Sequence, residues 1–419
     1  MASLEVRLGA QSIGVLERTR KGARLRYSEG VVEAYQGRPL LSTSLPVKRR
    51  PYGEGLTGAW FENLLPEGDR LTRLCRELQC APGDYYRLLE EVGWECAGAV
   101  SIVPEGCSDP ASTSVTALSD IELAERLRDL PAYDAVESVA LRVSLGGYQE
   151  KMIVAAEDVV VQNGYVAEAR FGLPQGAALS THILKPQLTG KYPGLIEAEA
   201  WAMSVASAAA RCAETALLRR ENAPLTLVVR RFDRAITPEG TIRLHQEDCC
   251  QALGLPPASK YASVARSPGS DPSYRGIAQR LTAYAAESQR ELGELLRQLV
   301  VNLALGNVDA HAKNHAFLYR EVCSPELSPL YDVVPVRDIE PEARHLSLRV
   351  NGKVLADDVA REDVVAEAIS WGLAASEAGA ILDETLASLE GGLARASGLY
   401  PSAADRLEAP ARRRIALLS

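Results

Sequence analysis

Residues 306–315 read GNVDAHAKNH and close a run, LLRQLVVNLAL at 295–305, whose apolar spacing predicts a buried helix. An aspartate, two histidines, a lysine and an asparagine gathered at the end of such a helix need a reason. His311 and His315 stand four apart, the separation of a zinc pair on one helix face, but the glutamate of H-E-x-x-H is missing. Gly306 and Asn307 also signal that the helix has ended, which removes the shared face. A histidine metal pair is therefore the weaker of two readings.

The stronger one starts from Asp309 and Asn314, which have the D-x-x-x-x-N spacing of a phosphoryl-transfer loop. In such a loop the aspartate takes the proton of the acceptor hydroxyl and the asparagine oxygen holds Mg²⁺. Chance produces this spacing often, so the order of other features decides. Downstream, LYDVVP at 330–335 sets Tyr331 and Asp332 after a predicted strand, AFLY, in the place of a second magnesium ligand, although the motif is not D-F-G. Upstream, Lys185 ends the strand THILK, and Glu199 follows in an alanine-rich helix predicted over 195–213. That is the order of a phosphate-binding lysine and its helix glutamate. SLGGYQEK at 144–151 adds a glycine turn, small enough for backbone N–H groups to approach phosphate oxygens, though singly it reads as a hairpin. Each feature is weak alone, and the required order makes them stronger together.

Composition limits the alternatives. The 419-residue chain has room for two or three domains, and 47% hydrophobic with 24% charged residues is ordinary for a globular protein. A net charge of −9 lacks the broad positive field that drives non-specific DNA binding. No export signal or apolar run long enough for a bilayer is visible, so the expected location is the cytoplasm, with no membrane partner. Eight cysteines are scattered without a C-x-x-C pair, against a disulfide scaffold or a zinc-thiolate site.

Three regions follow from pattern: an N-terminal α+β unit over 1–105, a β-rich region over 106–235 and a mainly helical region over 236–419. The first holds strands LEVRL and ARLRY, two amphipathic helices and a closing strand, GAVSIVP. A Ser-, Pro- and Asp-rich stretch at 105–120 reads as a linker, and Ser119 with Glu122 forms a capping box for the next helix. The second region runs through VALRV, MIVAAE, THILK and LTLVVRRF as strands.

SLGGYQEK, THILKPQ, VVRRFDR, HQEDCCQALGLP, GNVDAHAKNH and LYDVVPV together resemble the HipA family of bacterial serine/threonine kinase toxins, over nearly the whole chain. The resemblance implies an α+β, bilobed protein-kinase-like fold with a β-rich N-terminal lobe, a helical C-terminal lobe and a small HipA-type N-terminal subdomain. It implies Asp309 as catalytic base, Asn314 and Asp332 as Mg²⁺ ligands, and Lys185, supported by Glu199, on ATP phosphate. Gly146, Gly147, Tyr148, Gln149, Glu150 and Lys151 become the glycine-rich loop, and the backbone of Arg230, Arg231 and Phe232 the adenine hinge. His311 and Lys313 would lie beside the phosphates, with Tyr331 next to the metal ligand. Ser144 matches the serine that relatives autophosphorylate. The implied partners are a helix-turn-helix antitoxin (HipB-like), DNA only through that complex, and a protein substrate such as an aminoacyl-tRNA synthetase. Arg230 and Tyr148 depart from the glutamate and alanine that are common at those positions. A small-molecule kinase and a nucleotide-binding co-repressor are the rival readings.

Overall fold

Alternating apolar residues decide the first sheet. Leu4, Val6, Ile13, Leu16, Ala23 and Leu25 point to one side of four antiparallel strands in the order Gly22–Tyr27, Gln11–Thr19, Ser3–Leu8, Val100–Pro104. Helices Glu54–Phe61, Gly68–Glu77 and Tyr85–Val92 share that core, which holds Trp60, Phe61, Leu88 and Leu89. The computed structural model describes residues 3–108, 113–130, 149–188, 192–238, 240–262 and 271–419.

A second sheet has six strands in the order Thr113–Ala117, Tyr165–Gly176, Met152–Gln162, His182–Pro186, Thr226–Arg230, Thr215–Leu218. One face packs a small core of Leu123, Leu127, Val154, Phe171, Leu184 and Val228. The largest core lies beyond it. Helices Tyr274–Tyr284, Ser288–Ala304, Ala375–Leu399 and Pro401–Leu418 bury Leu292, Leu296, Leu386, Leu393 and Leu407 with Trp201 of helix Leu195–Ala206. The molecule is a mixed α/β fold.

Several expectations are met in detail. Ser119 accepts from Glu122 N–H while the Glu122 carboxylate accepts from Ser119 N–H at 2.9 Å, a complete capping box. AFLY lies in strand Ala316–Glu321.

Others differ for physical reasons. Within the supposed linker, Thr113–Ala117 is an edge strand: its β-branched residues suit a strand, and an edge exposed on both faces needs no apolar alternation. The alanine-rich helix stops at Ala206 rather than 213, because Ala213 N–H donates to Leu330 O at 2.9 Å and Leu330 N–H to Arg211 O at 2.7 Å. The region after 245 is less helical than expected, since His245–Asp248, Ala316–Glu321 and Ser324–Leu327 form a sheet. VALRV, Ser144, Gly146, Gly147 and Tyr148 lie outside the described residues.

Candidate active site

Helix Ser288–Ala304 ends as the sequence requires. Gly306 has φ +69°, and a Cβ there would lie 2.9 Å from Arg414 Nη2, so glycine is needed both for the turn and for the close approach. Arg414 holds that turn from the last helix: Nε donates to Ala304 O at 3.0 Å, and the guanidinium bonds both Asp338 oxygens at 3.0 and 2.7 Å. Of the triple arginine only Arg414 turns toward the loop, while Arg412 pairs on the surface with Glu390 and Glu408. Asn307 continues the turn, donating to Asn302 Oδ1 at 2.8 Å and Asp332 O at 3.4 Å.

The loop opens on a cleft of about 1040 Å³. Every described residue expected at the site lines it: Gln149, Glu150, Lys151, Lys185, Glu199, Arg230, Arg231, Phe232, Asp309, His311, Lys313, Asn314, Tyr331 and Asp332. At its centre the buried Lys185 ammonium donates to Glu199 Oε1 at 2.7 Å and Asp332 Oδ1 at 2.6 Å. Burial opposes its charge, but the two carboxylates outweigh burial and hold the ammonium above the ordinary lysine value. Burial also acts on Asp332, where Lys185 prevails and brings the carboxyl down to about 2. Burial wins at Glu199, whose pKa is raised. Asp332 has φ +60°, a conformation that aspartate adopts at a cost and that is common at functional positions.

Asp309 is raised by burial and then by repulsion from Asp332, while Tyr261, Lys260 and Ser347 oppose this. His311 is pushed down to about 3 by burial and by Lys260, so its ring is neutral. Lys151 is lowered to about 7 by burial, Arg70 and Lys185.

The two histidines part company. His311 faces the cleft, whereas His315 is buried edge-on to Tyr274 with centroids 5.5 Å apart. Among the described residues no group of three or more His, Cys, Asp or Glu could hold a metal ion. A Mg²⁺ site of few protein ligands is still compatible with the chain, because Mg²⁺ keeps water and substrate oxygens in its shell. Asp332 supplies a carboxylate, and the Asn314 amide nitrogen donates to Asp309 O at 3.1 Å, which leaves the amide oxygen as an acceptor.

Lys313 does something the sequence did not suggest. Its ammonium donates to Asn63 O and Oδ1 at 3.1 and 2.7 Å and to Asp248 Oδ2 at 2.7 Å, joining the loop to the N-terminal unit. Lys260 adds a bond to Glu67 Oε2 at 2.9 Å, and Arg73 pairs with Glu150. Asn63, Glu67, Arg73, Asp248, Lys260 and Tyr261 are thus cleft residues that sequence reading missed. Asp248 alone carried a local signal, as the cap of a box with Gln251 in HQEDCCQ.

At the expected hinge, Arg230 N–H donates to Glu214 O and Arg231 N–H to Thr181 O, both at 2.9 Å, so these two donors are already engaged. Phe232 packs on Tyr331 with centroids 5.5 Å apart. The Arg231 side chain turns away into a buried quartet with Asp233, Arg234 and Glu95. Arg231 bonds Asp233 at 2.9 and 2.8 Å, and Glu95 Oε1 accepts from Arg234 at 2.9 Å, Ser180 Oγ at 2.7 Å and Arg231 at 3.4 Å. Gly98 N–H reaches Asp233 Oδ2 at 2.7 Å.

Fold and site define a mixed α/β protein with a cleft in which a buried lysine is shared by two carboxylates. Family models resolve the class further: residues 4–103 match the HipA N-terminal domain and residues 143–392 the HipA-like C-terminal domain. The chain belongs to the HipA family. It is 31% identical over 365 residues to the protein Y4mE of Sinorhizobium fredii, covering 84% of this chain and 80% of that protein. It is 28% identical over 300 residues to the serine/threonine-protein kinase toxin HipA of Shewanella oneidensis, covering 69% of this chain and 65% of that protein. The fold matches a chain in the solved complex of Shewanella oneidensis HipA, HipB and operator DNA, with a TM-score of 0.79 and 23% identity over 99% of this chain and 98% of that one.

Proposed function

We propose that the chain is a serine/threonine protein kinase of bilobed, kinase-like design: 106–235 forms the nucleotide lobe with 1–105 as an added subdomain, and 236–419 the catalytic lobe. The observation that carries this reading is the buried Lys185 between Glu199 and Asp332 in the cleft that Asp309 also lines. Lys185 orients the phosphates of ATP, Glu199 holds the lysine, and the backbone near Phe232 receives the adenine. Asn314 and Asp332 would hold Mg²⁺, which supplies positive charge against the charge developing on the phosphates. Asp309 positions the acceptor hydroxyl and takes its proton as the acceptor oxygen bonds the γ-phosphorus and ADP departs. His311, neutral and buried, lines the phosphate end without adding charge. Lys313 braces the loop from behind through Asn63 and Asp248.

The same reading makes the chain the toxin of a toxin–antitoxin pair, acting on a translation component such as an aminoacyl-tRNA synthetase. The Shewanella oneidensis complex of HipA with HipB and operator DNA supports a helix-turn-helix antitoxin as partner. A net charge of −9 favours DNA contact through that partner rather than directly. Autophosphorylation at Ser144 would add about −1.5 to −2 charges beside a phosphate-binding loop, and so weaken ATP binding. Incubation with γ-labelled ATP, Mg²⁺ and a cell lysate tests the proposal. Labelled serine or threonine in a lysate protein is expected, and a chain that binds ATP yet labels nothing would refute it.

A further inference from the structure

Two hydroxyls close on the Asp309 carboxylate from outside its own loop. Residues 260–262 cross that loop as a strap. The Lys260 carbonyl accepts from Ala312 N–H at 3.1 Å, and Ala262 N–H donates to Ser347 O at 2.8 Å, so the chain is tied on both sides of Tyr261. Tyr261 donates its phenol to the Asp309 carboxylate. Its ring stands edge-on to His311 with centroids 5.2 Å apart, and the Lys260 ammonium lies 5.4 Å from the ring centre. Ser347, on strand His345–Val350, brings its hydroxyl to 3.4 Å from Asp309 Oδ1, and its N–H donates to Val308 O at 3.0 Å.

A carboxylate turns easily about its last bond, and each orientation presents a different lone pair to the cleft. Two donors on separate, mutually bonded elements remove that freedom. We propose that Tyr261 is a positioning residue for phosphoryl transfer: its hydroxyl, together with that of Ser347, fixes the Asp309 carboxylate so that one lone pair faces the acceptor hydroxyl. Tyr261 is not a plug standing in the acceptor's place. A plug needs a segment free to leave, whereas this strap is bonded through its backbone to Ala312 of the base's loop and to Ser347 of the strand beside it. Holding the reacting group in one orientation lowers the barrier by removing rotational freedom before the acceptor arrives.

The inference rests on Asp309 being the base proposed above. Tyr261→Phe keeps the ring against His311 and deletes only the hydroxyl. The initial rate of label transfer from ATP to lysate protein, KM for ATP, ATP affinity by calorimetry and the thermal midpoint are measured for this variant and the parent. The expected result is a fall in kcat of about tenfold, the scale of one hydrogen bond to a charged group, with KM, ATP affinity and midpoint unchanged. Ser347→Ala should act in the same direction. An unchanged or raised kcat overturns the inference, and so does a loss of kcat matched by a loss of ATP affinity or midpoint. A parent chain that transfers no label sinks the kinase reading and this inference together, whereas an active parent with an indifferent Tyr261→Phe sinks this inference alone.

Discussion

Replacing Glu95 by Gln should cost more than any surface charge change in this chain. The side chains of Glu95, Asp233, Arg231 and Arg234 are 6%, 3%, 2% and 2% exposed, and two carboxylates face two guanidiniums, with the Arg243 guanidinium beside them. Glu95→Gln keeps an oxygen for the Ser180 N–H, now 3.1 Å from Oε1, so little hydrogen bonding is lost there. What changes is the charge: two guanidiniums remain with one carboxylate in a region closed to water. Breaking a buried pair on one side costs roughly 3–5 kcal/mol, and retention of the bond to Ser180 puts this substitution near the lower end, about 3 kcal/mol. Against a typical stability of about 5–15 kcal/mol that is a large fraction. Urea unfolding followed by tryptophan fluorescence, with Trp94 beside the quartet, reads the loss. Adding Arg234→Gln restores the original balance of charge, so the double variant should be more stable than the sum of the single losses by about 2 kcal/mol. A loss below about 1 kcal/mol for Glu95→Gln, or strict additivity in the cycle, would refute the argument that charge balance holds the quartet together.

Asp309→Asn should abolish label transfer while ATP affinity by calorimetry stays near the parent value, because the nucleotide is held elsewhere. Asp332→Ala should weaken Mg-ATP binding at least tenfold, and it also removes the 2.6 Å partner of Lys185; unchanged affinity would rule out the metal role. Mass spectrometry after incubation with Mg-ATP should find phosphate on Ser144 in the parent and none in Asp309→Asn. Acid should unfold the chain early. Burial pushes His182, His245 and His315 down to about 4 and His311 to about 3 from an ordinary 6.5, so between these values the unfolded chain binds protons that the folded one cannot. Stability is full well above pH 6.5 and falls by roughly 6 kcal/mol between pH 6.5 and pH 5. His315→Phe, which removes a ring whose nitrogens have no hydrogen-bond partner among the described residues, should flatten the thermal midpoint's pH dependence by about a quarter.

The loop at 306–315 and the lysine–glutamate pair were legible because their signals are local. A buried helix that stops at a glycine, a strand that ends in lysine and a helix glutamate fourteen positions on can each be read from a short window. The N-terminal wall was not legible. Asn63 meets Lys313 across 250 positions, and nothing near Asn63 distinguishes it from any other helix-end asparagine. Tyr261 escaped for the same reason, since its role depends on a strap whose anchors, Ala312 and Ser347, lie in two later segments. Thr113–Ala117 was misread because an exposed edge strand lacks the apolar alternation by which strands are recognised. Lys313 lines the cleft, but its ammonium is directed by carbonyl and carboxylate partners that no spacing rule supplies.

Arg414 makes the final helix a structural foundation for much earlier residues, through Ala304, Asp338 and the close approach to Gly306. The genetic consequence concerns target size. In a selection for lost activity, changes at Arg414 or Asp338 should arise alongside those at Asp309 and Asp332, although neither pairing partner touches the reacting groups. A premature stop codon within the helix would belong to the same class. Activity in the point-substitution alleles at Asp338 would be recoverable by a second-site change that gives Arg414 a new carboxylate partner, whereas no distant change could restore an altered Asp309. Suppressor analysis therefore separates scaffold from chemistry without a structure of any variant.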